Sequence, residues 1–200
     1  MDTTITRLPD SAPAADDGRG ARCGAALAEP TVGDGSALWE LAKATGLDEN
    51  SPYAYLMVCR DFARTSVVAR ADDGLLVGFV TGYRRPDAAD TLFVWQVGVA
   101  GRARRSGLAL AMLAHLRDRL VPEGVRYVEA TVTPGNVASD RLFRRFAADA
   151  GTEVRRTPLF AASAFPAVDP PHDAEALYRI GPLPAGPIPE VEPRGGATRD

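Results

Sequence analysis

The sequence predicts a single α/β domain in which helices pack against one sheet. Three observations lead there. Residues 92–120 pass from an apolar run, Leu92-Phe93-Val94-Trp95-Gln96-Val97-Gly98-Val99, through a basic turn, Arg102-Ala103-Arg104-Arg105-Ser106-Gly107, into a stretch with Leu108, Met112, Leu116 and Leu120 four apart. That pattern is a buried strand, a cationic loop and an amphipathic helix. Asp72-Asp73-Gly74 lies between two β-rich runs and marks a hairpin. Read from end to end, the segments run helix, helix, strand, strand, strand, helix, strand, helix, strand.

Each element has a local reason. Asp34-Gly35-Ser36 caps a short helix that turns Leu38, Trp39 and Leu41 inward. Pro52 sits in the first turn of a second helix, expected over 52–63. Strands are expected at 66–70 and 75–83 on either side of the hairpin turn, and at 92–99. The next helix, over 107–120, stops at Pro122-Glu123-Gly124. A strand at 125–132 follows, and Thr133-Pro134-Gly135-Asn136 turns into a helix over 137–148. Residues 175–180 form the last predicted strand. Residues 1–29 are rich in Ala, Asp, Gly and Pro without periodicity, and residues 181–200 are rich in proline. Both read as loose tails around a folded core at 30–180.

Two hundred residues, 46% of them hydrophobic, are enough for one domain with its own core. A net charge of −3 argues against a general nucleic-acid or membrane-surface binder. No apolar stretch approaches the roughly 20 residues that span a bilayer. The start, Met1-Asp2-Thr3-Thr4, lacks the basic and apolar regions of a signal peptide. The expectation is a soluble, cytoplasmic protein. Cys23 and Cys59 suggest no disulfide framework, and Cys59, among apolar neighbours, reads as an inert thiol. No His/Cys/Asp/Glu set has metal-ligand spacing, so no metal is expected.

The arginines cluster between Arg102 and Arg105, at a strand–loop–helix junction suited to a small anion. Unpartnered N–H groups at the helix start, the helix dipole and full guanidinium charges all point at such a ligand. Gly107 lets the backbone approach it closely.

Within this junction Arg104-x-x-Gly107-x-Ala109 resembles the acetyl-CoA signature of the GCN5-related N-acetyltransferases, (Gln/Arg)-x-x-Gly-x-(Gly/Ala). One strand later, Asn136-x-x-Ser139-x-x-Leu142-Phe143 resembles that family's Asn-x-x-(Ser/Ala)-x-x-Leu-(Tyr/Phe) helix. The resemblance implies a mixed, mostly antiparallel central sheet with helices on both faces, and acetyl-CoA as co-substrate. It assigns the pyrophosphate to the loop Arg102, Arg104, Arg105, Ser106, Gly107, Leu108 and Ala109. The pantetheine and acetyl channel falls to Asn136, Ser139 and Phe143, although Asn136 also reads as a plain helix cap. Many family members carry Tyr where this chain has Phe143, and that Tyr can protonate the departing thiolate. Phe143 has no proton to give, so Tyr127, Tyr178 or a water is expected in its place, or the thiolate leaves unprotonated.

Longer runs narrow the resemblance. Leu47-Asp48-Glu49-Asn50-Ser51-Pro52-Tyr53-Ala54-Tyr55, Val77-Gly78-Phe79-Val80-Thr81-Gly82-Tyr83 and Asp90-Thr91-Leu92-Phe93-Val94-Trp95-Gln96-Val97 are similar to the diaminobutyrate N-acetyltransferases of ectoine biosynthesis. This implies acetylation of the 4-amino group of L-2,4-diaminobutyrate. An alkyl ammonium with a pKa near ~10.4 must first lose its proton, by desolvation or to a base. Backbone N–H groups of Val97, Gly98 and Val99 are expected to stabilise the oxyanion. Asp48 and Glu49 read either as ligands for the cationic amines or as charge at a helix start. Asn50, Ser51, Tyr53 and Tyr55 are candidates for the amino-acid end, and either tyrosine also reads as a core residue. Trp95 reads as a wall of the amine pocket or as core, and His172 as a substrate ligand from a late loop. Glu129 and Tyr178 are the candidates for proton transfer. A homodimer is the expected assembly.

Overall fold

The computed structural model describes residues 24–167 and 172–184. Most of both predicted tails lies outside the described residues. The elements are β1 (Ala25–Ala28), α1 (Gly35–Thr45), α2 (Pro52–Asp61), β2 (Val67–Ala71), β3 (Leu76–Arg85), β4 (Ala88–Val99), α3 (Leu108–Leu120), β5 (Tyr127–Val132), α4 (Val137–Asp149), β6 (Val154–Phe160) and β7 (Glu175–Ile180). Seven strands form one sheet in the order β1-β2-β3-β4-β5-β7-β6. Its neighbours pair antiparallel except β4 and β5, which are parallel. The mixed, mostly antiparallel sheet expected from the sequence is therefore present.

Helices cover both faces. Leu108, Met112 and Leu116 of α3 and Phe143 and Phe146 of α4 bury against Val80, Val94, Val128 and Ile180. On the opposite face Leu38 and Leu41 of α1, with Tyr55 and Cys59 of α2, close over Val68 and Phe79. Each large apolar side chain fully buried this way contributes roughly 1.5–3 kcal/mol. Burial also pushes the Cys59 thiol up to about 11, which makes it the inert thiol expected.

Two strands escaped the sequence reading. β1 lies inside the predicted tail at 1–29, yet pairs with β2 through Ala25↔Ala71 to Ala28↔Val68. Its Ala-Ala-Leu-Ala sequence has neither β-branched residues nor alternation, so it carries no strand signal. β6 is exposed along nearly its whole length and contains two arginines and Pro158, a composition tolerated only at a sheet edge. The predicted tail at 181–200 also needs correction at its start: Leu183 is fully buried and its N–H donates to the Arg126 carbonyl at 2.7 Å.

Gly98 explains how the two layers fit at the centre. It pairs with Phe79, and a Cβ at this position would come within 2.4 Å of the Phe79 ring. Gly98→Ala is expected to destabilise the fold by about 1–3 kcal/mol, the usual range for overpacking. A fall in the denaturation midpoint at unchanged slope would register it.

Candidate active site

The site is built by the way β4 and β5 part. Their parallel ladder runs only from Thr91↔Tyr127 to Val94↔Ala130. Beyond Val94 the strands splay, and a cleft of about 190 Å³ opens between them. Backbone groups of β4 that β5 would otherwise satisfy are left facing that cleft. Val97 lines it. Gly98 and Val99, expected with it to stabilise the oxyanion, are not among the cleft-lining residues.

A bulge sits at the point of parting. Thr81 pairs with Gln96 and Gly82 with Val94, which leaves Trp95 as the extra residue. Trp95 is 47% exposed and stands on the lip of the cleft, not in the core. Gln96 is turned beneath it. Its Nε2 donates to the Asp48 carbonyl at 3.0 Å, and its Oε1 accepts from the Tyr55 hydroxyl at 2.9 Å. The bulge is thereby tied to the segment before α2, and Asp48 is held at the cleft wall. Tyr55 is consumed by this bond, and sequence reasoning gave Gln96 no role at all.

The far wall comes from α4 and β7. Asn136, Ser139 and Phe143 all line the cleft. The Asn136 carboxamide accepts from the Ser139 N–H at 3.0 Å, so it is both the helix cap and a cleft residue. Glu175, at the start of β7, faces Asp48 across the opening. Its Oε2 is enclosed and has no hydrogen-bond partner among the described residues. Burial pushes its carboxyl pKa up; the nearby His172 opposes that shift, and Asp48 and Asp173 add to it. Glu175 was not singled out from the sequence. Its only sequence signal is its place three residues after His172, at the start of a predicted strand.

His172 is exposed and stacks on Phe165, with ring centroids 4.2 Å apart. Asn50 lies behind the cleft, in a small cavity with Tyr55, Trp95 and Gln96. Ser51 is the extended residue at the N-cap of α2. Tyr53 and Glu49 are exposed and are not among the cleft-lining residues.

The two proton-transfer candidates are both engaged by partners. Glu129 is 1% exposed and held by Arg85 and Arg179, in hydrogen bonds to both of its oxygens. A buried carboxylate clamped by two guanidiniums orients them and is not poised to shuttle protons. The Tyr178 hydroxyl donates to Asp140 at 2.7 Å, while its ring packs on Phe143. Burial and that bond raise its pKa, which makes it a poorer acid than a free tyrosine. Tyr178→Phe is therefore expected to lose about 1 kcal/mol of stability and to retain turnover; a steep drop in kcat measured by thiol release would restore Tyr178 as the acid.

The loop before α3 has its own internal contacts. Gly107 caps α3 at φ +84 and Arg105 also adopts a left-handed backbone, at φ +63. The α3 ladder starts with the Ala111 N–H donating to the Gly107 carbonyl, so the N–H groups before Ala111 precede the helical ladder. The Arg104 Nε donates to the Val99 carbonyl at 3.3 Å, and the Ser106 hydroxyl to the Ala103 carbonyl at 2.8 Å. Ala109 is half-buried in the first turn. Arg102, expected as an anion ligand, is paired with Asp73 of the β2–β3 turn at 2.7 Å. Leu108 puts its side chain in the core and offers only its N–H.

The chain belongs to the acetyltransferase (GNAT) family, whose model matches residues 36–148. Within that family it is 52% identical to the L-2,4-diaminobutyric acid acetyltransferase of Streptomyces coelicolor, over 78% of this chain and 92% of the relative. The protein of the same name from Halalkalibacterium halodurans is 46% identical, over 78% of this chain and 82% of the relative. Among solved structures, the diaminobutyrate acetyltransferase EctA from Paenibacillus lautus, in complex with L-2,4-diaminobutyric acid and coenzyme A, has a TM-score of 0.75 and 41% identity. It matches over 80% of this chain and 95% of that one. The ribosomal-protein-S18-alanine N-acetyltransferase from Escherichia coli shares the fold, with a TM-score of 0.64 at 17% identity.

Among the described residues no helix is long and apolar enough to cross a membrane, and no group of three His, Cys, Asp or Glu is placed to hold a metal ion.

Proposed function

We infer that this chain transfers the acetyl group of acetyl-CoA to the 4-amino group of L-2,4-diaminobutyrate, giving N4-acetyl-diaminobutyrate for ectoine biosynthesis. The observation that carries this is a narrow cleft with two carboxylates, Asp48 and Glu175, beside an unsatisfied strand edge, in a chain about half identical to proteins of that name.

Each proposed role has a geometric support. The α3 N-terminus and the left-handed turn at Arg105 and Gly107 present N–H groups to the pyrophosphate, with Arg104 and Arg105 adding charge. The thioester lies in the splay, its carbonyl toward the β4 backbone around Val97. Asp48 attracts the diamine, and Trp95 walls its path. Glu175 takes the proton that the attacking nitrogen must lose, because its enclosed oxygen has no other hydrogen-bonding duty. The nitrogen–carbonyl bond forms, the carbon–sulfur bond breaks, and the electron pair leaves on sulfur. A thiol with a pKa near ~8.5 can depart as thiolate, so Phe143 in place of a tyrosine does not block the reaction. His172, stacked on Phe165, faces this carboxyl from the loop before β7.

Coupled thiol release with diaminobutyrate, ornithine, lysine and spermidine tests the reading. Diaminobutyrate is expected to be preferred, because a compact cleft with carboxylates at its mouth suits a small zwitterion. Faster turnover of spermidine would point to a polyamine acetyltransferase, and CoA binding without turnover of any amine to a sensor. The functional unit is a homodimer, supported by the exposed apolar pair Leu159 and Phe160 on the edge strand β6; sedimentation at the monomer mass would refute it.

A further inference from the structure

Asp48 and Trp95 line the same cleft from different parts of the fold. Trp95 is the bulged residue of β4, whereas Asp48 lies between α1 and α2, in a segment that belongs to no helix or strand. Gly46 closes α1 in the left-handed conformation, at φ +74, and Ser51 opens α2 in the extended one. Among the described residues, one hydrogen bond ties the segment 47–51 to the sheet. It runs from the Gln96 Nε2 to the Asp48 carbonyl at 3.0 Å.

Gln96 can do this in one orientation only. A backbone carbonyl only accepts, so the NH2 end of the carboxamide must face Asp48, and its oxygen then faces Tyr55. A second place to turn lies beside it. Thr81 is its register partner on β3, and the buried Thr81 hydroxyl has no hydrogen-bond partner among the described residues. Residues directly opposite in an antiparallel pair share a face, with Cβ atoms roughly 5 Å apart. Tyr55 removes the choice by donating its hydroxyl proton to the Gln96 Oε1 at 2.9 Å. Tyr55 is itself 2% exposed and meets the Phe79 ring edge-on, so the brace is anchored in the core beneath α1 and α2.

We propose that Gln96, locked by Tyr55, is a positioning residue that sets the gap between Asp48 and Trp95 through which the acceptor amine arrives. The inference rests on the reading of the chain as a diaminobutyrate acetyltransferase. One residue fixes both walls because it follows the bulge directly and holds the loop that carries Asp48. It acts through Asp48. Its loss therefore weakens the hold on the acceptor and spares the donor and the chemical step.

The test uses the purified full chain, with diaminobutyrate and acetyl-CoA varied separately in thiol release. Gln96→Met keeps the length of the side chain and loses both hydrogen bonds. It is expected to raise the KM for diaminobutyrate about 3- to 10-fold, with kcat and the KM for acetyl-CoA held within about twofold. Tyr55→Phe keeps the ring on Phe79 and frees the carboxamide, so a smaller rise of the same kind is expected. Thr81→Val alters the same small cavity without touching the brace and should leave that KM unchanged. Coupling to Asp48 decides the matter. Asp48→Asn should raise the KM for diaminobutyrate by itself, and Gln96→Met added to it should raise it no further. Additive effects of the two substitutions, a Thr81→Val rise equal to that of Gln96→Met, or a fall in kcat without a change in KM each overturn the positioning role alone. Should Gln96→Met fail to fold, Tyr55→Phe decides, and an unchanged KM there overturns the proposal. A wild-type chain that does not acetylate diaminobutyrate overturns the functional reading, and the positioning role with it.

Discussion

Glu175→Gln is expected to lower kcat/KM for diaminobutyrate by about 10²–10⁴-fold, the range for loss of a positioned base, with little change in acetyl-CoA affinity. Glutamine keeps the shape and the polarity but cannot accept the proton. The pH profile separates this from a packing effect. Burial raises the Glu175 pKa above the ordinary carboxylate value, and the group works only when deprotonated. Activity should therefore fall on the acid side at a higher pH than an ordinary glutamate would give, and that limb should vanish in the variant. Stability moves the opposite way. An acid whose folded pKa is raised favours the fold below its unfolded pKa, and that contribution is lost as pH rises through the folded value. At neutral pH the variant should be at least as stable as the wild type, as thermal melts at pH 5 and pH 8 would check.

Glu129→Gln should do the reverse, with its main effect on stability. Glu129 is fully buried between two arginines whose side chains are each 34% exposed. Removing one partner of a buried ion pair costs about 3–5 kcal/mol. The lower end applies here, about 3 kcal/mol, because both arginines can turn partly to water. For a chain this size that is a fall in melting temperature of roughly 10 °C. If Glu129 were a proton relay instead, the variant would melt normally and lose turnover.

The elements that the sequence revealed are those whose side chains must choose between core and solvent. The four-residue spacing of Leu108, Met112, Leu116 and Leu120 and the apolar run from Leu92 leave little freedom, and α3 and β4 stand where they were expected. β1 and β6 belong to the sheet through backbone pairing, which leaves no trace in hydrophobic pattern. The same distinction holds in the site. Gly107, Asn136 and Ser139 were legible because a left-handed cap and a helix start demand particular residue types. Gln96 and Glu175 were not. Their places in the cleft arise from a bulge and from the start of a strand, which join residues distant in sequence. Arg102 and Leu108 are engaged in ways the motif does not reveal, Arg102 in an ion pair with Asp73 and the Leu108 side chain in the core.

The splayed strands also have a consequence for the life of the protein between turnovers. Past Val94 and Ala130 the sheet has an internal edge, with backbone amides that hydrogen exchange would find weakly protected. A donor lying in that gap acts as a missing strand and closes it. Binding to the folded chain alone adds stability in proportion to the logarithm of donor concentration. The enzyme should therefore resist unfolding and proteolysis best when the acetyl pool is full and loosen when it empties, so that its persistence follows the supply of its own substrate.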